Sequence, residues 1–165
     1  MSMPPAEENK PVAGKPGKPR GKVSPRRRAR ELAVQGLYQW RVGGQDEAAI
    51  EAHLAEGEGF GRADQTMFET LLRGAMRNSS ELFATLRPSL DRSVDELSPI
   101  EASILLLGAY ELTHHPETPY RVIINEAIEL AKTFGGTDGH KYVNGVLDKL
   151  APKLRAAEVA AGGRK

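Results

Sequence analysis

The sequence predicts an all-α fold: a single compact domain of about six or seven helices behind a disordered basic N-terminal tail. Apolar residues recur with a period near 3.6 along successive segments. Serine, threonine and aspartate start signals precede those segments, and no alternating strand pattern or hairpin turn separates them. A chain of 165 residues is long enough to bury one hydrophobic core.

The first helix is predicted over residues 25–41. Ser24 is a favourable N-cap, Pro25 suits the first helical position, and Gly43-Gly44 ends the segment. One helical stripe carries the apolar side chains Ala29, Leu32, Ala33, Gly36, Leu37 and Trp40.

Two further helices are predicted before the centre of the chain. A weaker one spans 46–56, and a long one begins after Asp64 and ends at Pro88. Asn78-Ser79-Ser80 is expected to bend this long helix, because short polar side chains compete for backbone hydrogen bonds.

Three helices are predicted in the second half. Ser98-Pro99-Ile100-Glu101 is a capping box, and the helix that it starts is apolar on nearly every side, so it is expected at the centre of the fold. Thr118-Pro119 starts the next helix, and Asp138 precedes the last, over 139–150. Pro152 and the Ala/Gly-rich end predict fraying over 156–165, leaving 24–155 as the folded domain.

Charge is distributed unevenly along the chain. Residues 1–30 hold nine Lys/Arg and two Asp/Glu, although the whole chain has a net charge of only +1. Residues 1–23 have almost no large apolar side chains and are predicted to be disordered. The tail either keeps the protein soluble or contacts nucleic acid; arginines that continue into the first helix favour nucleic acid.

Several functional classes lack their sequence signals. Cysteine is absent, no apolar run reaches the ~20 residues of a membrane span, and no signal peptide is recognisable, so a cytoplasmic protein without disulfides is expected. Nucleotide-binding, zinc-protease and hydrolase motifs are also absent. Asp138 with His140 is a weak metal pair, and helix capping is the better explanation of Asp138. We therefore expect no catalytic residue, metal or cofactor.

Two clusters are candidate RNA contacts. Four arginines lie at the positive end of the first helix dipole, where an RNA phosphate would relieve their repulsion. They are Arg26, Arg27, Arg28 and Arg30. Around the glycine-rich turn at 135–136, cations, aromatic rings and an amide suit single-stranded RNA. These are Lys132, Phe134, Lys141, Tyr142 and Asn144, of which Phe134 is expected to be core and Tyr142 partly exposed.

Tyr38 projects opposite the apolar stripe of the first helix, together with Arg27 and Glu31. An outward tyrosine is either incidental or part of a protein interface, where this residue type is enriched.

Three segments resemble the NusB family of bacterial transcription antitermination factors. They are 26–40 (RRRARELAVQGLYQW), 124–132 (INEAIELAK) and 141–149 (KYVNGVLDK), which occur in the family's order. The resemblance covers about 26–150 and implies an all-helical RNA-binding fold. It also implies recognition of the boxA element of nascent ribosomal RNA, and a partnership with NusE, a small-subunit ribosomal protein, in an antitermination complex on RNA polymerase.

By this resemblance, both clusters fall on RNA-contacting regions of the family, and Tyr38, Glu101 and Asp138 fall on positions that meet NusE. The chain departs from the family in its long tail, in Gly36 where alanine is common, and in Tyr142 where phenylalanine is common. A helical protein-interaction module without RNA and an RNA-processing enzyme remain the alternatives.

Overall fold

A computed structural model describes residues 23–136 and 138–162. These residues form eight α-helices and no strand, which confirms the all-α prediction. The helices are α1 (Pro25–Gly43), α2 (Glu47–Ala55), α3 (Gln65–Arg77), α4 (Ser79–Leu86), α5 (Pro99–His114), α6 (Tyr120–Phe134), α7 (Gly139–Leu154) and α8 (Ala156–Gly162). The predicted disordered tail, 1–23, lies outside the described residues except for Val23.

The central helix is α5, as its apolar sequence predicts. Its residues from Ala102 to Leu112 are all buried, and α1, α3, α4, α6 and α7 pack around it. The predicted capping box starts it: the Ser98 hydroxyl accepts from the Glu101 amide at 3.1 Å, and the Glu101 carboxylate accepts from the Ser98 amide at 3.4 Å. Local capping and global burial therefore agree in this helix.

The long helix predicted after Asp64 is broken rather than bent. Asn78 leaves the helical conformation with φ −107° and ψ 16°, and it separates α3 from α4. Its side-chain amide donates to the Gly74 carbonyl at 2.8 Å, in addition to its backbone amide at 3.1 Å, so two bonds to one carbonyl end α3. This break is one of the two reasons why the structure has more helices than predicted.

The other reason is the C-terminus, where the prediction of fraying over 156–165 is wrong up to Gly162. Arg155 is buried and donates to the carbonyls of Leu112 at 2.8 Å and His115 at 2.9 Å, so it satisfies the end of α5. Glu158 of α8 accepts from the Tyr120 amide at 2.9 Å, so it caps the start of α6. These long-range bonds hold α8 against the domain.

Gly36 allows close packing of α1. A Cβ atom at this position would lie 2.8 Å from Leu72 Cδ1 and 3.1 Å from Ile50 Cγ2, both in fully buried side chains of neighbouring helices. The helix propensity lost by having glycine instead of alanine, up to ~1 kcal/mol, is therefore exchanged for a closer approach of α2 and α3.

Candidate functional site

The start of α1 presents two of the four predicted arginines at the surface, Arg26 and Arg27, and Arg27 is ion-paired. The Ser24 hydroxyl caps the helix by accepting from the Arg27 amide at 3.0 Å. The Arg27 guanidinium makes a two-pronged ion pair with Glu126 of α6 at 3.0 and 2.8 Å, while its side chain stays 40% exposed. The hydrogen bonds that it donates to Glu126 raise the pKa of Arg27. Arg26 is exposed beside it.

Arg30 does not belong to an exposed cluster, and that part of the prediction is wrong. Its side chain is 4% exposed and makes two hydrogen bonds of 2.8 Å to Glu111, which is equally buried in α5. Burial opposes its charge, but the bonds to Glu111 outweigh that cost and raise the pKa of Arg30. Two of the four cations at this helix end therefore find their counter-anions within the fold.

Arg28 lies against the loop after α2. Gly59 there has a φ of +89°, and a Cβ atom on it would come within 3.1 Å of Arg28 Nη1. The side chain is half-buried. A glycine in the left-handed conformation thus makes room for the arginine.

The exposed face of α6 connects the two predicted RNA-contacting clusters. Glu126, Glu129 and Lys132 follow one another at three-residue intervals along this helix. Glu129 raises the pKa of Arg27 as a more distant contributor, and it lies 3.8 Å from the ammonium group of Lys132. This surface therefore has two carboxylates between its cations and is not uniformly basic.

The turn from α6 to α7 holds the second cluster. Lys141 is exposed, with its ammonium nitrogen 3.6 Å from an Asp138 carboxylate oxygen, and Asn144 is half-buried. Phe134 is half-buried and packs against the core, in line with its expected core role. Asp138 occupies the N-cap position of α7, but its side chain caps no amide, so the capping explanation of this carboxylate is wrong.

Tyr142 is partly exposed, as predicted, but one face of its ring is covered. The guanidinium carbon of Arg92 lies 4.3 Å from the ring centroid. The hydroxyl is buried close to Asp91, and this burial raises the pKa of Tyr142. Sequence reasoning missed Arg92, because it lies in a loop fifty positions from Tyr142 and shares no local pattern with it.

The three residues predicted to meet a protein partner lie on different elements. Glu101 is half-buried, and its carboxylate would be 3.7 Å from a Cβ atom on Gly139, the residue after Asp138. Glu101 and Asp138 are thus neighbours across α5 and α7. Tyr38 is half-buried and packs against the core of the domain, so it is less outward than the helical projection predicts.

Neither a metal cluster nor a membrane-spanning helix occurs within residues 23–136 and 138–162. No group of three or more histidine, cysteine, aspartate or glutamate side chains among them could hold a metal ion. No helix in this part of the chain is long and apolar enough to cross a membrane.

The chain is similar to characterised proteins over most of its length. The NusB family model matches residues 27–152. The transcription antitermination protein NusB of Dechloromonas aromatica is 62% identical over 138 residues, 84% of this chain and 85% of that protein. NusB of Ralstonia nicotianae is 58% identical over 147 residues, 88% of this chain and 95% of that protein.

Solved structures share the fold. T. maritima NusB superimposes with a TM-score of 0.72 at 28% identity, covering 84% of this chain and 99% of that one. The fold also matches a chain from the crystal structure of the antitermination factors NusB and NusE with double-stranded RNA, with a TM-score of 0.68 at 24% identity over 77% of this chain and 96% of that one. The matches in sequence and fold together establish that the chain belongs to the NusB family of transcription antitermination proteins, which are not enzymes.

Proposed function

We propose that this protein binds boxA-type single-stranded RNA of nascent ribosomal RNA together with a NusE partner. In this role it acts in the cytoplasm, within an RNA polymerase antitermination complex, and promotes processive transcription of ribosomal RNA operons. The NusB relatives support the antitermination role. The crystal structure in which a NusB is assembled with NusE and RNA supports the two kinds of ligand.

One geometric observation carries the RNA part of the proposal. The Arg27–Glu126 pair fixes the arginine-rich start of α1 against α6, whose exposed face continues through Glu129 to Lys132. Beyond the turn that follows α6, Lys141 and Tyr142 lie in the first turn of α7. Cations for phosphates and an aromatic group are thus present at the start of α1, at the end of α6 and at the start of α7, and we infer that one RNA strand contacts them together.

The RNA contacts are tested with Arg26→Ala/Arg28→Ala, which avoids the buried Arg30. A boxA oligonucleotide is titrated at several salt concentrations against the parent and this double variant. We expect weaker binding and a log–log salt slope reduced by up to about 1.4, since each lost phosphate contact on a single strand contributes about 0.7. Lys149→Ala/Lys153→Ala, which removes two exposed cations from the far half of α7, is the matched control.

The partner surface is proposed to include Tyr38, Glu101 and Asp138. The carboxylates of Glu101 and Asp138 suit a basic ribosomal protein. Glu101→Lys is expected to weaken NusE binding in calorimetry, and Tyr38→Ala to remove about 1–2 kcal/mol or more. Glu101→Gln is the control, because glutamine can preserve the capping box that starts α5.

The outcomes separate this proposal from its alternatives. Binding of NusE without any RNA binding would identify a protein-interaction module instead. Equal RNA affinity and salt slope in the parent and Arg26→Ala/Arg28→Ala would remove the arginine cluster from the RNA surface. Normal folding and parent-like NusE binding of both Tyr38→Ala and Glu101→Lys would refute the partner surface.

A further inference from the structure

Arg92 is held in place from two directions. Its guanidinium lies over the Tyr142 ring, with Cζ 4.3 Å from the ring centroid. Asp91 accepts from its Nε at 2.8 Å and from its Nη2 at 3.4 Å. Even so, the Arg92 side chain is 39% exposed. Its planar group is thus oriented and still accessible to a ligand.

The way in which Arg92 is held limits what it can bind. Asp91 already occupies the Nε/Nη2 edge, one of the two edges on which a guanidinium forms a two-pronged ion pair. What remains available is the outer face of the plane and the end-on edge between Nη1 and Nη2. A flat, weakly hydrated guanidinium is a stacking surface for a nucleobase, and RNA-binding proteins use arginine planes in this way.

The Tyr142 ring supports this arrangement from below. Its hydroxyl is buried, so the ring is anchored in the domain, and the arginine covers the face that a base would otherwise use. Exposed Lys141, the preceding residue in the chain, supplies a cation for a phosphate. A base approaching this part of α7 therefore meets Arg92 before it meets the aromatic ring.

We propose that Arg92 is an RNA-contacting residue that stacks one base on the outer face of its guanidinium, with Tyr142 and Asp91 fixing its orientation. This inference rests on the proposed RNA-binding function and adds a contact to it. It also changes the part played by Tyr142, which becomes the support of the stacking plane instead of the surface on which the base stacks.

The decisive variant is Arg92→Lys, which keeps the positive charge and removes the plane. Because stacking of one base is worth about 1–3 kcal/mol, we expect the Kd for the boxA oligonucleotide to rise by about 5- to 150-fold with little change in salt slope. Arg92→Ala is expected to lose as much and to lower the slope as well, by up to about 0.7. Thermal melts establish that both variants are folded.

A matched control exists at the start of α6, the end of that helix away from Lys132. Arg121 lies over the Tyr120 ring with its guanidinium carbon 5.4 Å from the centroid, so Arg121→Lys makes the same chemical change away from the proposed RNA surface. An oligonucleotide series with one base removed at a time locates the contact. Where the stacked base is missing, parent and Arg92→Lys are expected to bind equally.

The results distinguish this inference from the function on which it rests. A parent protein that does not bind the oligonucleotide would overturn both. A parent that binds, with Arg92→Lys binding as tightly, would overturn the role of Arg92 alone. Its role would also be overturned if Arg92→Lys weakened binding equally to every oligonucleotide of the series, or if it weakened only NusE binding.

Discussion

Replacing Arg30 by alanine is expected to destabilise the fold and to leave the intrinsic RNA affinity unchanged. The side chain makes two hydrogen bonds of 2.8 Å to Glu111, and both side chains are 4% exposed. Removing one member of such a pair leaves a buried carboxylate without its counter-charge, which costs about 3–5 kcal/mol. Domains of this kind have about 5–15 kcal/mol of total stability, so the loss is a large fraction of it.

Urea denaturation followed by circular dichroism measures this loss. The variant's midpoint is expected to fall strongly at neutral pH, and the deficit is expected to shrink as the pH is lowered towards 5. The reason is that the folded variant buries an unpaired Glu111 and favours its neutral form, so it binds more protons than the unfolded chain and loses stability as pH rises. Arg30→Met/Glu111→Leu is the control, and should recover the parent's stability or exceed it by about 1–4 kcal/mol.

Two results would refute this reasoning. One is an Arg30→Ala protein with the parent's urea midpoint, which would mean that the pair contributes nothing to the fold. The other is a folded Arg30→Ala protein whose RNA affinity and salt slope both fall, because a buried guanidinium has no access to a phosphate.

Three further changes test other parts of the fold. Glu158→Gln should weaken the bond that caps α6 at Tyr120. The backbone bond from Tyr120 lowers the pKa of Glu158, so the stability that this carboxylate contributes is present above about pH 4.3 and is lost as the pH falls through the pKa of the folded state. Thermal melts of the variant should therefore show a smaller loss of stability at acid pH than those of the parent. Gly74→Ala should lower the free energy of unfolding by about 1–3 kcal/mol or more in urea titrations, since its Cβ would collide with the Tyr110 ring; an unchanged midpoint would contradict this packing. Tyr142→Phe removes a buried hydroxyl that lies close to Asp91 and keeps the ring beneath Arg92, so it should bind RNA like the parent, with a melting temperature close to the parent's; a large loss of stability would show that a hydrogen bond from this hydroxyl to Asp91 supports the fold.

The sequence alone determined most of the helices and most of their starting points, but not the break between α3 and α4 or the helix α8. Ser24, Asp46, Asp64 and Ser98 each accept from the amide three residues later, and such bonds depend only on nearby residues. Apolar periodicity likewise identified α5 as the central helix. The NusB resemblance was also recognisable from sequence, because its motifs are contiguous segments of α1, α6 and α7.

Only the tertiary structure decided which charged groups are accessible. The partner of Arg30 is 81 positions away in the chain, the partner of Arg27 is 99, and the bond that caps α6 comes from α8. The sequence placed Arg30 with the other arginines because all four lie in the first turns of one helix, whereas burial depends on what the other helices bring against it. The stacking of Arg92 on Tyr142 has the same origin: it joins a loop to a helix, and its two members become neighbours only when the core packs.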